Sequence, residues 1–180
     1  MKRFFVFLTV LLFLGATFAA AQPVPGKKFE LGTSFSFSMF DFGGDSESQT
    51  VLTLPVRFGY YIWKGLELEP ELMLIKFEDS DVTYNLSANL SYNFKTKGKI
   101  VPFVLAGVGI GNAFAVGPYM EGGEGLSAFL LNFGGGAKFL IGNSGALRVE
   151  YRFTRNHLSD EEFSDNLNTH NVLVGVSLFF

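Results

Sequence analysis

His157 and Ser159 stand two residues apart near the C-terminus, and Asn168 and His170 follow with the same spacing. Residues two apart on a strand share one face. A neutral imidazole on that face can take the proton of a hydroxyl and prepare it to attack an ester carbonyl. A third group on the neighbouring strand can hold the ring in place. Arg155 extends the same face. Its guanidinium suits a lipid phosphate, or ordinary snorkelling from a membrane interface. The plainer reading of His157 and Ser159 is a polar strand end that does no chemistry.

A second set of charges lies within apolar runs. Glu30, Glu67, Glu69, Glu71 and Glu150 alternate with greasy neighbours, as do Arg57, Lys138, Arg148 and Arg152. If these positions share an enclosed interior, they must pair, because unpaired buried charge is too costly. The expected result is a salt-bridge plug that fills the interior. A narrow ion-conducting pore is the sharper alternative, and it needs water between the same groups. Three inward Glu on one strand also suggest a metal, but no inward His joins them, so no cofactor or metal is expected.

The elements that would position these residues are strands. From Phe29 to Met39, odd positions are largely apolar and even positions are small or polar, Glu30 apart. Further alternating runs carry Leu52 to Ile62, Leu66 to Leu74, Val82 to Phe94, Val101 to Asn112, Ser127 to Ile141, Leu147 to Phe153, and Val172 to Phe180. That is eight strands, mostly longer than the five or six residues usual in soluble sheets. A tilted strand needs roughly 9–11 residues to cross a bilayer. Connections alternate too. Lys64-Gly65, Lys95 to Lys99 and Gly142 to Gly145 are short, whereas 41–49, 113–124 and 158–168 are longer and acidic; 78–81 is shorter but also acidic. Short periplasmic turns and longer outer loops mark an outer-membrane barrel. Trp63, Tyr60 and Tyr92 would join its lower aromatic girdle.

The fold expectation is therefore an eight-stranded antiparallel transmembrane β-barrel, all-β and of outer-membrane type, over residues 22–180. Residues 1–21 read as a cleaved signal peptide. Lys2 and Arg3 precede the apolar stretch Phe4 to Phe18, and Ala19-Ala20-Ala21 supplies a cleavage site. The exported chain has no cysteine, so no disulfide can hold it. The full sequence has a net charge of −3 with no basic block, which argues against nucleic acid. The soluble alternative is a lipocalin-like barrel with its greasy face inside. Against it, the polar face is rich in Gly, Ser and Asn, as a cramped interior requires, while the other face carries Phe, Leu and Tyr. Pro55, Pro70 and Pro102 fall within strands, where each should mark a bulge or weak pairing.

With the mature N-terminus in the periplasm, the seventh strand ends at the cell surface. Odd positions from Leu147 through His157 and Ser159 then face lipid, as do Asn168 and His170 on the eighth. Tilted strands rise roughly 2.4 Å per residue, which sets His170 roughly 24 Å above Phe180, near the top of the apolar band.

The segments Ala146-Leu-Arg-Val-Glu-Tyr-Arg-Phe, His157-Leu-Ser159, Asn166-Leu-Asn168-Thr-His and Val174-Gly-Val-Ser-Leu-Phe-Phe resemble the C-terminal half of the lipid A 3-O-deacylase family, also called acyloxyacyl hydrolases. The likeness covers about residues 130–180. It implies an eight-stranded outer-membrane barrel that removes an ester-linked acyl chain from lipid A. The family's motif is His-x-Ser-Asn on the penultimate strand, with a Glu at the start of the last. By that resemblance Ser159 is the nucleophile and His157 its base. Asp160 stands at the oxyanion position, where the family has Asn. Asn168 stands at the acid position. Arg155 would contact a lipid phosphate.

Two function readings follow. One is a serine ester hydrolase acting on lipopolysaccharide at the outer leaflet. The other is a non-enzymatic small barrel serving envelope integrity, adhesion or narrow porin-like permeation. The expected partners are outer-membrane lipid and the barrel-assembly machinery, the latter through the C-terminal strand ending in Phe180, with the protein a monomer or weak dimer.

Overall fold

The computed structural model describes residues 24, 26–40, 49–77, 82–94, 96–111, 128–158 and 167–180. The segment 1–21 lies outside them. Eight strands follow one another: β1 Phe29–Phe40, β2 Gln49–Trp63, β3 Leu66–Phe77, β4 Thr83–Asn93, β5 Ile100–Gly111, β6 Ala128–Ile141, β7 Gly145–Leu158 and β8 Leu167–Phe179. Each pairs antiparallel with the next, and β8 returns to β1, so the sheet closes on itself. Where β1 and β8 pair, from Glu30↔Phe179 to Phe35↔Val174, closure removes the free sheet edges that hydrocarbon cannot satisfy.

Alternation decides which face is which. On β4 the side chains of Asn85, Ser87, Asn89, Ser91 and Asn93 are buried, while Tyr84, Leu86 and Leu90 are exposed. On β2, Thr53, Arg57 and Tyr61 are buried, and Leu52, Leu54, Val56, Phe58 and Tyr60 are exposed. The molecule is polar inside and apolar outside. This arrangement suits a protein surrounded by lipid and excludes the lipocalin-like alternative, whose apolar face would be inside.

The short connections make tight turns. Gly65 adopts φ +87° and Gly142 φ +63°, a region that L side chains rarely enter. Trp63 and Tyr60 are exposed at this turn end. There Phe29 stacks on Tyr60 and Phe180, with centroids 5.3 and 5.8 Å apart. Phe29 N–H donates to Phe180 O at 3.0 Å, and Phe180 N–H returns a bond to Phe29 O at 3.0 Å.

The prolines do not act as bulges. Pairing passes from Thr33↔Val56 to Ser36↔Thr53 around Pro55, and from Arg57↔Glu71 to Tyr60↔Leu68 around Pro70, with register unchanged. Pro102 pairs in register with Ala137. The β2–β3 register shift lies instead at Tyr61/Trp63, next to the Lys64-Gly65 turn. A proline lacks only a donor, so a ladder can lose one bond and keep its register.

Candidate functional site

The interior holds a continuous network of ionisable side chains. Glu30, Glu67, Glu69, Glu71, Glu150, Arg57, Lys138, Arg148 and Arg152 are each at most 2% exposed. At its turn end, Lys138 Nζ donates to Glu30 Oε2 at 2.6 Å, to Glu67 Oε2 at 2.9 Å and to Tyr61 Oη at 3.1 Å. Tyr61 Oη in turn donates to Glu30 Oε2 at 2.6 Å. Asn93 Nδ2 donates to Glu67 Oε2 at 2.9 Å.

Arg148 links this cluster to the next. Its Nη1 and Nη2 reach Glu69 Oε1 and Oε2 at 3.2 and 3.0 Å, a two-pronged pairing that fixes the guanidinium plane. Its Nε donates to Glu150 Oε2 at 2.9 Å, and Nη1 lies 3.7 Å from Glu30 Oε1. Glu150 is the hub, since Arg57 reaches it at 3.3 Å and Arg152 Nε at 2.7 Å. Arg57 and Arg152 both also meet Glu71. The Phe103 ring lies beneath two cations, 4.2 Å from Arg148 Cζ and 5.5 Å from Lys138 Nζ. Toward the loop end the polar contacts become neutral. Asn132 Nδ2 donates to Ser87 Oγ at 3.1 Å and Asn89 Oδ1 at 3.2 Å, and accepts at Oδ1 from Thr154 at 2.9 Å.

Tyr61, Asn93 and Phe103 complete this network, although they were absent from the charge pattern. Their signal was parity. Each falls on the inward-facing set of its strand, where a large aromatic must contact whatever fills the lumen. No group of His, Cys, Asp and Glu suited to a metal ion occurs among the described residues.

The second candidate lies on the lipid side of β7 and β8. Arg155, Asn168 and His170 are exposed there, and His157 is half-buried. Arg155 pairs in register with Asn168, His157 with Phe129 and Phe153 with His170. Asn168 is thus directly opposite Arg155 rather than His157. Ser159 and Asp160 lie outside the described residues. A contact not anticipated is that of Tyr151 Oη with His170 Nδ1, at 2.6 Å. The Phe153 ring is 5.1 Å from the same imidazole. Outward parity on both strands was the available signal, but only the register made these residues neighbours.

Among solved structures, the chain is similar to Neisserial surface protein A (NspA), with a TM-score of 0.63 at 16% identity over 84% of this chain and 97% of that one. It is also similar to the N-terminal beta-barrel domain of Pseudomonas aeruginosa OprF, with a TM-score of 0.56 at 16% identity over 86% and 98%. At that identity both likenesses speak to the fold alone. The outer membrane enzyme PagL aligns at a TM-score of 0.47 and 16% identity over 82% and 97%, too low to bear on function. A search of curated protein sequences finds no match. The outer membrane protein beta-barrel domain matches residues 6–180. With a closed eight-stranded barrel, apolar outside and polar within, the chain belongs to this family and is a protein of the bacterial outer membrane.

Proposed function

We propose that this protein is a non-conducting barrel that serves the integrity of the outer membrane or adhesion at its surface. The observation that carries this reading is the filled lumen. A conducting path would have to part Lys138 from Glu30 and Glu67, or Arg148 from Glu69 and Glu150. Breaking such a buried pair leaves uncompensated charge, at about 3–5 kcal/mol. The test is a planar-bilayer recording of the purified barrel. Baseline current without steady openings is expected, and a stable single-channel conductance contradicts the reading.

The second reading is a lipid A deacylase-like esterase. It is favoured by His157, on the lipid side of β7 and two residues beyond Arg155, at the level of the outer leaflet. In this reading His157 takes the Ser159 proton, the serine oxygen attacks a lipid ester, and an acyl-enzyme is then hydrolysed. Asp160 would place negative charge where an oxyanion forms, and Asn168 cannot balance an imidazolium as a carboxylate does. The test is the mass of lipid A from an outer membrane that carries the protein. Loss of one hydroxyacyl chain, abolished by Ser159→Ala, supports the esterase. Unchanged lipid A with folded protein present rules it out.

A further inference from the structure

The seam between β1 and β8 closes the barrel over only part of its height. Pairing runs from Glu30↔Phe179 to Phe35↔Val174. Beyond that point β1 continues to Phe40, still paired with β2, and β8 extends back to Leu167, still paired with β7. Among the described residues, Ser36 to Phe40 and Leu167 to Leu173 have no paired position across this seam. One position before that end, Gly175 sits close against β1. A Cβ there would collide with the Thr33 carbonyl oxygen and Ser34.

Antiparallel alternation sets what the open edge presents. Phe29 and Phe180 exchange both main-chain bonds. Every second residue of β8 back from Phe180, and so Val172, His170 and Asn168, therefore directs its N–H and C=O toward β1. In hydrocarbon, each such group without a partner costs on the order of several kcal/mol. The opening lies in the loop-end half, where headgroups begin. Behind it, Ser36 and Leu173 are buried, so the gap is a notch in the wall with a filled floor.

The side chains beside the notch are donors. Asn168, His170 and Arg155 are exposed on the lipid side, and Arg155 pairs in register with Asn168. Tyr151 holds the His170 ring through Nδ1 at 2.6 Å. When the hydroxyl donates, the ring proton sits on Nε2, directed away from the tyrosine. No described outward-facing residue of β7 or β8 is a carboxylate. Polar donors with one sign of charge, next to unpaired strand N–H groups, match a phosphate.

We propose that this notch binds the phosphate-bearing headgroup of an outer-leaflet lipid. Arg155, the Asn168 side chain, His170 and the edge N–H groups of His170 and Val172 donate to phosphate oxygens. The acyl chains lie along the apolar outer faces of β1 and β8. The site uses neither Ser159 nor His157, so it stands whether or not the protein hydrolyses an ester.

The experiment is native mass spectrometry of the full barrel in maltoside micelles, mixed with lipid A or with phosphatidylglycerol. One lipid retained per barrel is expected, and whichever of the two is held identifies the source of the phosphate. Retention should fall about tenfold in Arg155→Ala/His170→Ala, the loss expected for charge-assisted hydrogen bonds. It should persist in Leu86→Ala on the far side. No retention by the wild type, or equal retention by the double variant, overturns the proposal. The notch itself is tested in the cysteine-free chain by Phe37→Cys with Val172→Cys. This pair should oxidise far less completely than Leu31→Cys with Leu178→Cys in the paired half of the seam. Equal cross-linking of the two pairs means a closed seam and removes the site.

Discussion

Lys138 Nζ and Glu30 Oε2 lie 2.6 Å apart across the lumen, although β7 and β8 separate their strands in the wall. The contact is possible because an eight-stranded barrel is only wide enough for side chains to meet at its centre. Its consequence is mechanical as well as electrostatic. Strands far apart in the sheet are tied through the interior, so wall and lumen should unfold together.

Among the described residues, Lys138 is the only cation bonded to both Glu30 and Glu67. Replacing it by Met leaves two buried carboxylates short of a partner, and should cost about 3–5 kcal/mol in urea unfolding from liposomes. Adding Glu67→Gln removes one of those charges and should recover part of the loss. If the double variant is no more stable than Lys138→Met, the two groups are not coupled as the geometry requires.

Tyr61 both donates to Glu30 and accepts from Lys138. Tyr61→Phe keeps the ring and deletes the bridge. The unfolding midpoint should fall by an amount equivalent to about 1–3 kcal/mol. An unchanged midpoint would mean that the hydroxyl contributes nothing to the cluster.

Gly59 sits against Glu67, and a Cβ at this position would collide with the carboxylate oxygen. Gly59→Ala must displace a side chain already bound to Lys138 and Asn93, at about 1–3 kcal/mol. Gly98 has open space around it, so Gly98→Ala should change stability little. Paired denaturation curves separate the two cases.

Leu86 lies midway along the lipid face of β4, whereas Val82 precedes the strand at its loop end. Arginine at a bilayer midplane costs about 2–4 kcal/mol and near an interface about 0–1 kcal/mol. Leu86→Arg should therefore destabilise the liposome-embedded barrel much more than Val82→Arg. Equal effects would argue against this placement in the bilayer.

Much of this architecture was legible in the chain. The alternation of Asn85, Ser87, Asn89, Ser91 and Asn93 with Tyr84, Leu86, Ala88 and Leu90 reports a strand with one polar and one apolar face. The same parity assigned Glu67, Glu69 and Glu71 to the interior before any partner was known. The proline expectation held as weakened pairing, with positions missing from the ladder beside Pro55 and Pro70, and failed as bulging, since a missing donor need not shift a register. At the lipid-facing candidate, parity put His157, Arg155, Asn168 and His170 on one side. It did not reveal that Tyr151 holds His170, or that Asn168 stands opposite Arg155.

The period-two pattern by itself determined the number of strands, their order in the chain and the face of each side chain. These properties are local, because successive residues of a strand must point to opposite sides. Only the tertiary structure decided which charge meets which. The register between strands and the closure of β8 onto β1 are long-range. A shift of two residues would keep every face and change every partner. The same holds for the seam. Alternation runs through β1 to Met39 and through β8 from Val172, yet how far the two strands pair depends on the curvature of the closed sheet.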